Sequence, residues 1–327
     1  MFARRFAQCV FPAAALALSS AGASAQAGTP YPVKPVRFVV PYVPGGGTDL
    51  MARALAARMT ESMGQPVIVE NRAGAGGNLG MEFVAHSAPD GYTIALALTA
   101  QYVVNPALYP KLPYDPVKDY APIMLVARNP YVLVVHPSVP AKSVKELITL
   151  AKAHAGQLTF SSSGNGSGAH LSGEMLKTMA GVNLLHIPYK GAGALLPDLI
   201  AGQTHMSFVT WSSVGPHVRS GRLRALGVTT VRRSPALPDL PAIAETLPGY
   251  DLPVWYGIVA PAGTPRETVA KLNAEILRVI TTPDFRQRIE VDAVEPIGST
   301  PAEFADYIKV ELVKWARIVR DSGAKVD

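Results

Sequence analysis

Two distant segments of this chain share one design: a β-prone run, a glycine-rich turn, then a helix-forming stretch. The first runs from Val36 to Val43, turns through Pro44-Gly45-Gly46-Gly47-Thr48-Asp49, and continues as a helical stretch to Met63. The second runs from Leu158 to Ser163, turns through Gly164-Asn165-Gly166-Ser167-Gly168-Ala169-His170, and continues as a helical stretch to Ala180. Glycine has no Cβ, so backbone N–H groups can crowd towards a ligand. A helix start adds N–H donors without intrahelical acceptors and the positive end of a dipole. Such a turn holds an anion without a charged side chain. Two of them, more than a hundred residues apart, predict two lobes gripping one anionic molecule.

The rest of the pattern alternates strand and helix, which predicts an α/β fold with mostly parallel sheets flanked by helices. Val67–Val69, Thr93–Leu98 and Tyr131–Val135 read as strands. Ser143…Glu146, Thr264…Glu267 and Thr300…Glu303 match the capping box, and Pro265 and Pro301 suit a first helical position. One apolar stripe is Val144, Leu147, Ile148 and Ala151; another is Phe304, Ile308, Leu312, Trp315 and Val319. Proline clusters at 110–122 and 235–253 mark domain crossings. They predict one lobe from residues 26–126 and 252–327, and a second from 127–251.

The first 25 residues read as a cleaved export signal. Arg4 and Arg5 precede an apolar core from Val10 to Ala23, and Ala23-Ser24-Ala25 suits cleavage. Removing them from the 327 residues leaves 302, enough for two domains. The only cysteine, Cys9, leaves with the signal, so the exported chain relies on its core rather than on disulfides. Localisation is expected to be periplasmic. The charge of +6 falls to +4 without the two arginines, a mild excess that steers anionic ligands. No basic block with interleaved aromatics is present, so nucleic acid is not an expected partner. Arg222, Arg224, Arg232 and Arg233 read as solvated surface.

Catalytic signatures are missing. There is no Gly-x-Ser-x-Gly elbow, and Ser167 with His170 reads as a helix cap beside a packed histidine. The seven histidines are scattered, so neither a metal site nor a cofactor is expected. Neither a Walker A motif nor a Gly-x-Gly-x-x-Gly fingerprint occurs. A third glycine cluster, Asn71 to Gly80, also follows a strand, and α/β folds place ligands at strand ends. Asp49 suits a helix N-terminus better than an anion pocket. Arg72 reads as the partner of a local acid. A micromolar ligand needs about 8 kcal/mol, whereas one helix terminus supplies ~1–2. Several hydrogen bonds and lobe closure must therefore contribute.

Six motifs together resemble the tripartite tricarboxylate transporter receptors, the Bug family of solute-binding proteins. They are Pro44–Asp49; Glu70–Gly77; Ala88–Thr93; Ser163–Ser167 with His170; His186–Gly191; and Trp255–Gly257 with Ala260–Pro265. The resemblance implies a two-lobed type II periplasmic binding fold that holds a small organic carboxylate (a dicarboxylate, tricarboxylate or aromatic acid). It also implies delivery to membrane permease subunits, and no catalysis. The chain is expected to act as a monomer. By motif, the contacts fall on Pro44, Gly45, Gly46, Thr48 and Asp49, and on Ser162, Ser163, Gly164, Gly166 and Ser167. His170 supports the second loop, and Gln101 sits where specificity is often read. The acid that family members often carry after Phe208 is Val209 here, which favours plain carboxylates over amino acids. Trp211 either lines the pocket or packs, and His205 reads as surface. A receptor that presents its ligand to a membrane sensor kinase, or an enzyme on the same scaffold, are the alternatives.

Overall fold

Both strand–glycine–helix segments form as the sequence predicts, and each begins the layered half of a sheet. The computed structural model describes residues 31–45, 47–189 and 192–323, without the side chains of Ala192 and Ser322. The expected export signal, the residues after it to 30, Gly46, Lys190, Gly191 and residues 324–327 lie outside the described residues.

The first segment is β1 (Val36–Val40) and α1 (Gly47–Met63). It is followed by β2 (Val67–Asn71), α2 (Asn78–Ala85), β3 (Thr93–Leu98), α3 (Asn105–Leu108) and β4 (Tyr120–Asn129). The central portion holds β5 (Tyr131–Val135), α4 (Val144–Ala153), β6 (Thr159–Ser162), α5 (Gly168–Ala180), β7 (Leu185–Pro188), α6 (Ala192–Ile200), β8 (Met206–Thr210), α7 (Trp211–Arg219) and β9 (Arg224–Val228). The chain ends with β10 (Val254–Pro261), α8 (Arg266–Ile280), α9 (Pro283–Glu290), β11 (Glu295–Pro296) and α10 (Pro301–Ser322).

The first sheet has the order β11-β4-β10-β3-β1-β2, and the second β7-β6-β8-β5-β9. Among the named strands, parallel pairing joins β1 with β2 and β3, and β6 with β7 and β8. The other pairs are antiparallel, so both sheets are mixed. The reason is the crossings. β4 leaves the first sheet and β10 returns to it, and the two run side by side in opposite directions. β4 carries the first sheet to Asn129, three residues beyond the boundary expected at 126.

A continuous core joins the two sheets. α10 packs against β4 of the first and α5 of the second. Its buried face is Phe304, Ile308, Trp315 and Val319, with Leu312 half-buried, as its spacing predicts. Tyr102, Trp255 and Phe304 cluster with ring centroids 5.8–6.4 Å apart. The Tyr250 hydroxyl donates to the Ser172 carbonyl oxygen at 2.8 Å, which ties the return crossing to α5.

Of the three expected capping boxes, the one at α10 closes fully: Thr300 Oγ1 accepts from the Glu303 N–H, and Glu303 Oε2 accepts from the Thr300 N–H. Ser143 caps α4, although Glu146 accepts from the Lys142 N–H rather than from Ser143. The box at Thr264 does not form. Its hydroxyl donates to the Pro261 carbonyl oxygen at 2.7 Å and closes the preceding turn, which makes Pro265 the residue before the helix. Two surface expectations also change. Arg224 is half-buried and donates to the carbonyl oxygens of Val139 and Ala141, and the half-buried His205 Nδ1 accepts from the Thr159 N–H.

Candidate functional site: a cavity between two helix starts

A cavity of about 570 Å³ lies where the two sheets meet, a volume typical of small-molecule sites. Gly47 and Thr48 reach it from the start of α1, and Ser163, Asn165, Gly166, Ser167 and Gly168 reach it from the start of α5. The third glycine cluster contributes Gly76. Thus both strand–loop–helix turns face one space.

In the second turn, Gly164 (φ +129°) and Gly166 (φ +73°) adopt a backbone that other residues rarely allow. Ser167 is the N-cap of α5, its Oγ accepting from the His170 N–H at 3.2 Å. Its own hydroxyl proton is then free to turn towards the cavity. Several amides of these turns are already engaged. The Gly45 N–H donates to Asp49 Oδ2, that of Gly164 to Ser162 Oγ, that of Gly166 to His170 Nδ1, and that of Ser167 to the Gly164 carbonyl oxygen. At α5 the remaining first-turn donors are the N–H groups of Gly168 and Ala169, which by helix geometry have no intrahelical acceptor.

Behind this surface lies a supporting layer. Asp49 is buried, with Oδ2 accepting from Gly45 and from Arg53 Nε (2.9 Å), and Oδ1 accepting from Asn71 Nδ2 (2.9 Å). Burial alone would raise its pKa. The hydrogen bonds from Arg53, Gly45 and Asn71 outweigh it and hold the carboxyl at about 2. His170 stacks on His186 with ring centroids 4.0 Å apart, and His186 stacks on Phe160 at 4.8 Å. His186 Nε2 bonds the Ser162 hydroxyl at 2.6 Å. Burial, with Lys177 nearby, lowers both imidazoles to about 4, and His170 further depresses His186. Both rings are therefore neutral at pH 7.

Of the residues singled out from sequence, Thr48, Ser163, Gly166 and Ser167 line the cavity. Pro44, Gly45, Asp49, Ser162, Gly164 and His170 do not; most of them hold the two turns in shape from behind. Gln101 is fully buried outside the cavity wall. It donates to the Tyr42 hydroxyl (2.6 Å) and to the Gly76 carbonyl oxygen (2.7 Å), so it braces two lining residues. Arg72 pairs with Glu70 at 2.6 Å and lies over the Phe83 ring, away from the cavity. Trp211 packs against Gly215 and Arg219 while Thr210 before it lines the space.

Other lining residues carried little sequence signal. Thr210, Ser212 and Ser213 come from the β8–α7 turn, which lacks glycine. Asn129, Tyr131 and Leu252–Val254 come from the two crossings, for which the proline clusters were the only hint. Burial pushes the Tyr131 and Tyr256 phenols up, so they stay neutral hydrogen-bonding groups at any physiological pH. The exposed Arg288 and the half-buried Asp292 also line the cavity, and burial raises the pKa of the Asp292 carboxyl, which lies near Tyr256. Among the described residues no three His, Cys, Asp or Glu gather as a metal site, and no helix is long and apolar enough to cross a membrane.

Comparison with known proteins matches this architecture. Three solved structures are similar over almost their full length. The R. palustris protein Rpa4515, solved with adipate, is 35% identical with a TM-score of 0.82, covering 90% of this chain and 99% of that one. The periplasmic binding protein BugD is 34% identical at 0.78, covering 90% and 99%. MatC from Rhodopseudomonas palustris, with bound malate, is 34% identical at 0.77, covering 88% and 100%. These are solute-binding receptors rather than enzymes. Residues 51–324 match the sequence pattern described as "Tripartite tricarboxylate transporter family receptor". The chain belongs to that family of periplasmic receptors.

Proposed function

We propose that this protein captures a small organic carboxylate in the periplasm and delivers it to the permease of a tripartite tricarboxylate-type transporter. The observation that carries the reading is the convergence of two helix starts on one cavity, with the hydroxyls of Thr48, Ser163 and Ser167 beside them. Helix-start amides and hydroxyls are neutral donors suited to a carboxylate. Adipate and malate in the two related structures support a dicarboxylate over a larger acid. One lobe comprises the first sheet with α10, and the other residues 131–251; the paired crossings at 129–131 and 252–254 form the hinge. One chain suffices, since both walls of the cavity come from it. Export would follow from the signal at residues 1–25.

Isothermal titration of the exported chain with a panel of mono-, di- and tricarboxylates tests this reading. Micromolar or tighter binding of at least one dicarboxylate is expected. Absence of heat with every acid would overturn it. Loss of uptake of that acid in cells lacking the receptor, with the permease intact, tests delivery.

A further inference from the structure

Asn129 ends β4, and Pro130 and Tyr131 carry the chain into the second sheet. Its backbone is held opposite Val254 in the ladder with β10, so the two crossings meet at this residue. The side chain is 3% exposed and lines the cavity. Its Oδ1 is buried with no hydrogen-bond partner. Leaving a buried carbonyl oxygen unpaired costs free energy, and native proteins rarely retain one without a use for it. Its lining neighbours Tyr131, Leu252, Pro253, Val254 and Tyr256 are apolar or phenolic, with the Thr210 hydroxyl paired across from Tyr131 and the Asp292 carboxyl near Tyr256 as the adjoining polar groups.

A carboxylate has no proton to give an amide oxygen, and a methylene can neither give nor accept. A hydroxyl can do both. We propose that Asn129 is a specificity-determining residue that accepts a hydrogen bond from a ligand hydroxyl, so the preferred guests are hydroxylated carboxylic acids. This rests on the carboxylate-receptor reading above and narrows it. The carboxylate is held at the helix starts, while the hydroxyl is read at the crossing between sheets.

Matched acids that differ by one hydroxyl test the proposal: succinate against malate, and adipate against 2-hydroxyadipate. Affinities are measured calorimetrically for the unmodified chain, Asn129→Leu and Asn129→Ala, with thermal melting to show that each variant folds. In at least one pair the hydroxylated acid should bind the unmodified chain roughly tenfold more tightly, the scale of one hydrogen bond. That ratio should fall to near one in both variants. Equal affinities within both pairs for the unmodified chain, or a preference that survives in both variants, would overturn the role of Asn129 while leaving the carboxylate reading intact. No binding of any acid would overturn both.

Discussion

The imidazole of His170 lies face to face with that of His186, centroids 4.0 Å apart and planes 14° from parallel. One ring accepts from Gly166 and the other bonds Ser162, so the pair anchors the second glycine turn from both sides. A proton on either ring is disfavoured by burial and by the charge of Lys177, despite Glu174 3.7 Å from His170 Nε2. The unfolded chain takes up protons near pH 6.5 and the folded chain only near pH 4. Stability should therefore be complete above pH 6.5 and fall as pH drops towards 4, by about 3 kcal/mol or more for the coupled pair. Urea unfolding at pH 7.5 and 4.5 checks this, and His186→Phe should flatten the profile. Asp49 acts in a lower window, its contribution fading only as pH falls from about 4 towards 2.

Removing the Ser167 hydroxyl has two separable effects. Ser167→Ala deletes the N-cap of α5, at about 1 kcal/mol of stability. It also deletes a cavity-facing donor, which should weaken carboxylate binding by about 1–3 kcal/mol. Calorimetry beside a denaturant melt reads both, and unchanged affinity would remove Ser167 from the binding surface.

Asp49 serves the binding turn without facing the guest. Asp49→Asn puts an amide N–H₂ among the donors of Gly45, Arg53 and Asn71. The charge-assisted bonds lost are worth about 2–3 kcal/mol in total stability. Affinity should fall as well, because the Gly45 turn loosens. Hydrogen exchange at residues 45–49 should quicken; retained protection there would contradict the bracing role.

Gly166 has no room for a side chain. Its φ of +73° costs an alanine about 1–2 kcal/mol, and a Cβ would run into the Leu108 side chain from the first half of the chain. Gly166→Ala should lower the melting temperature and the affinity together. Gly181→Ala, with positive φ but open space around it, should cost only the backbone term.

Local physics set much of the fold. α1 and α5 run between the residues expected because glycine and serine fix their starts by geometry that needs no distant partner. The α10 stripe and its capping box are likewise local, as a 3.6-residue period and a three-residue reach lie within one segment. The chemistry of the two turns was legible for the same reason. At Thr264 local logic failed, because the hydroxyl found a nearer carbonyl acceptor at Pro261 in the turn before the helix.

What only the tertiary structure decided was which groups face inward. Gln101 and Asp49 were expected at the ligand, yet they lie behind the cavity wall, because Tyr42 and Gly76 approach Gln101, and Asn71 approaches Asp49, from elsewhere in the chain. Asn129 and Tyr131 carry no pattern that marks them, and they line the cavity because β4 and β10 cross there side by side. Sequence determined the helix starts, since those depend on neighbouring residues alone. The selectivity of the wall depends on which of several distant polar groups remains unpaired after packing, and that is settled only when the sheets meet.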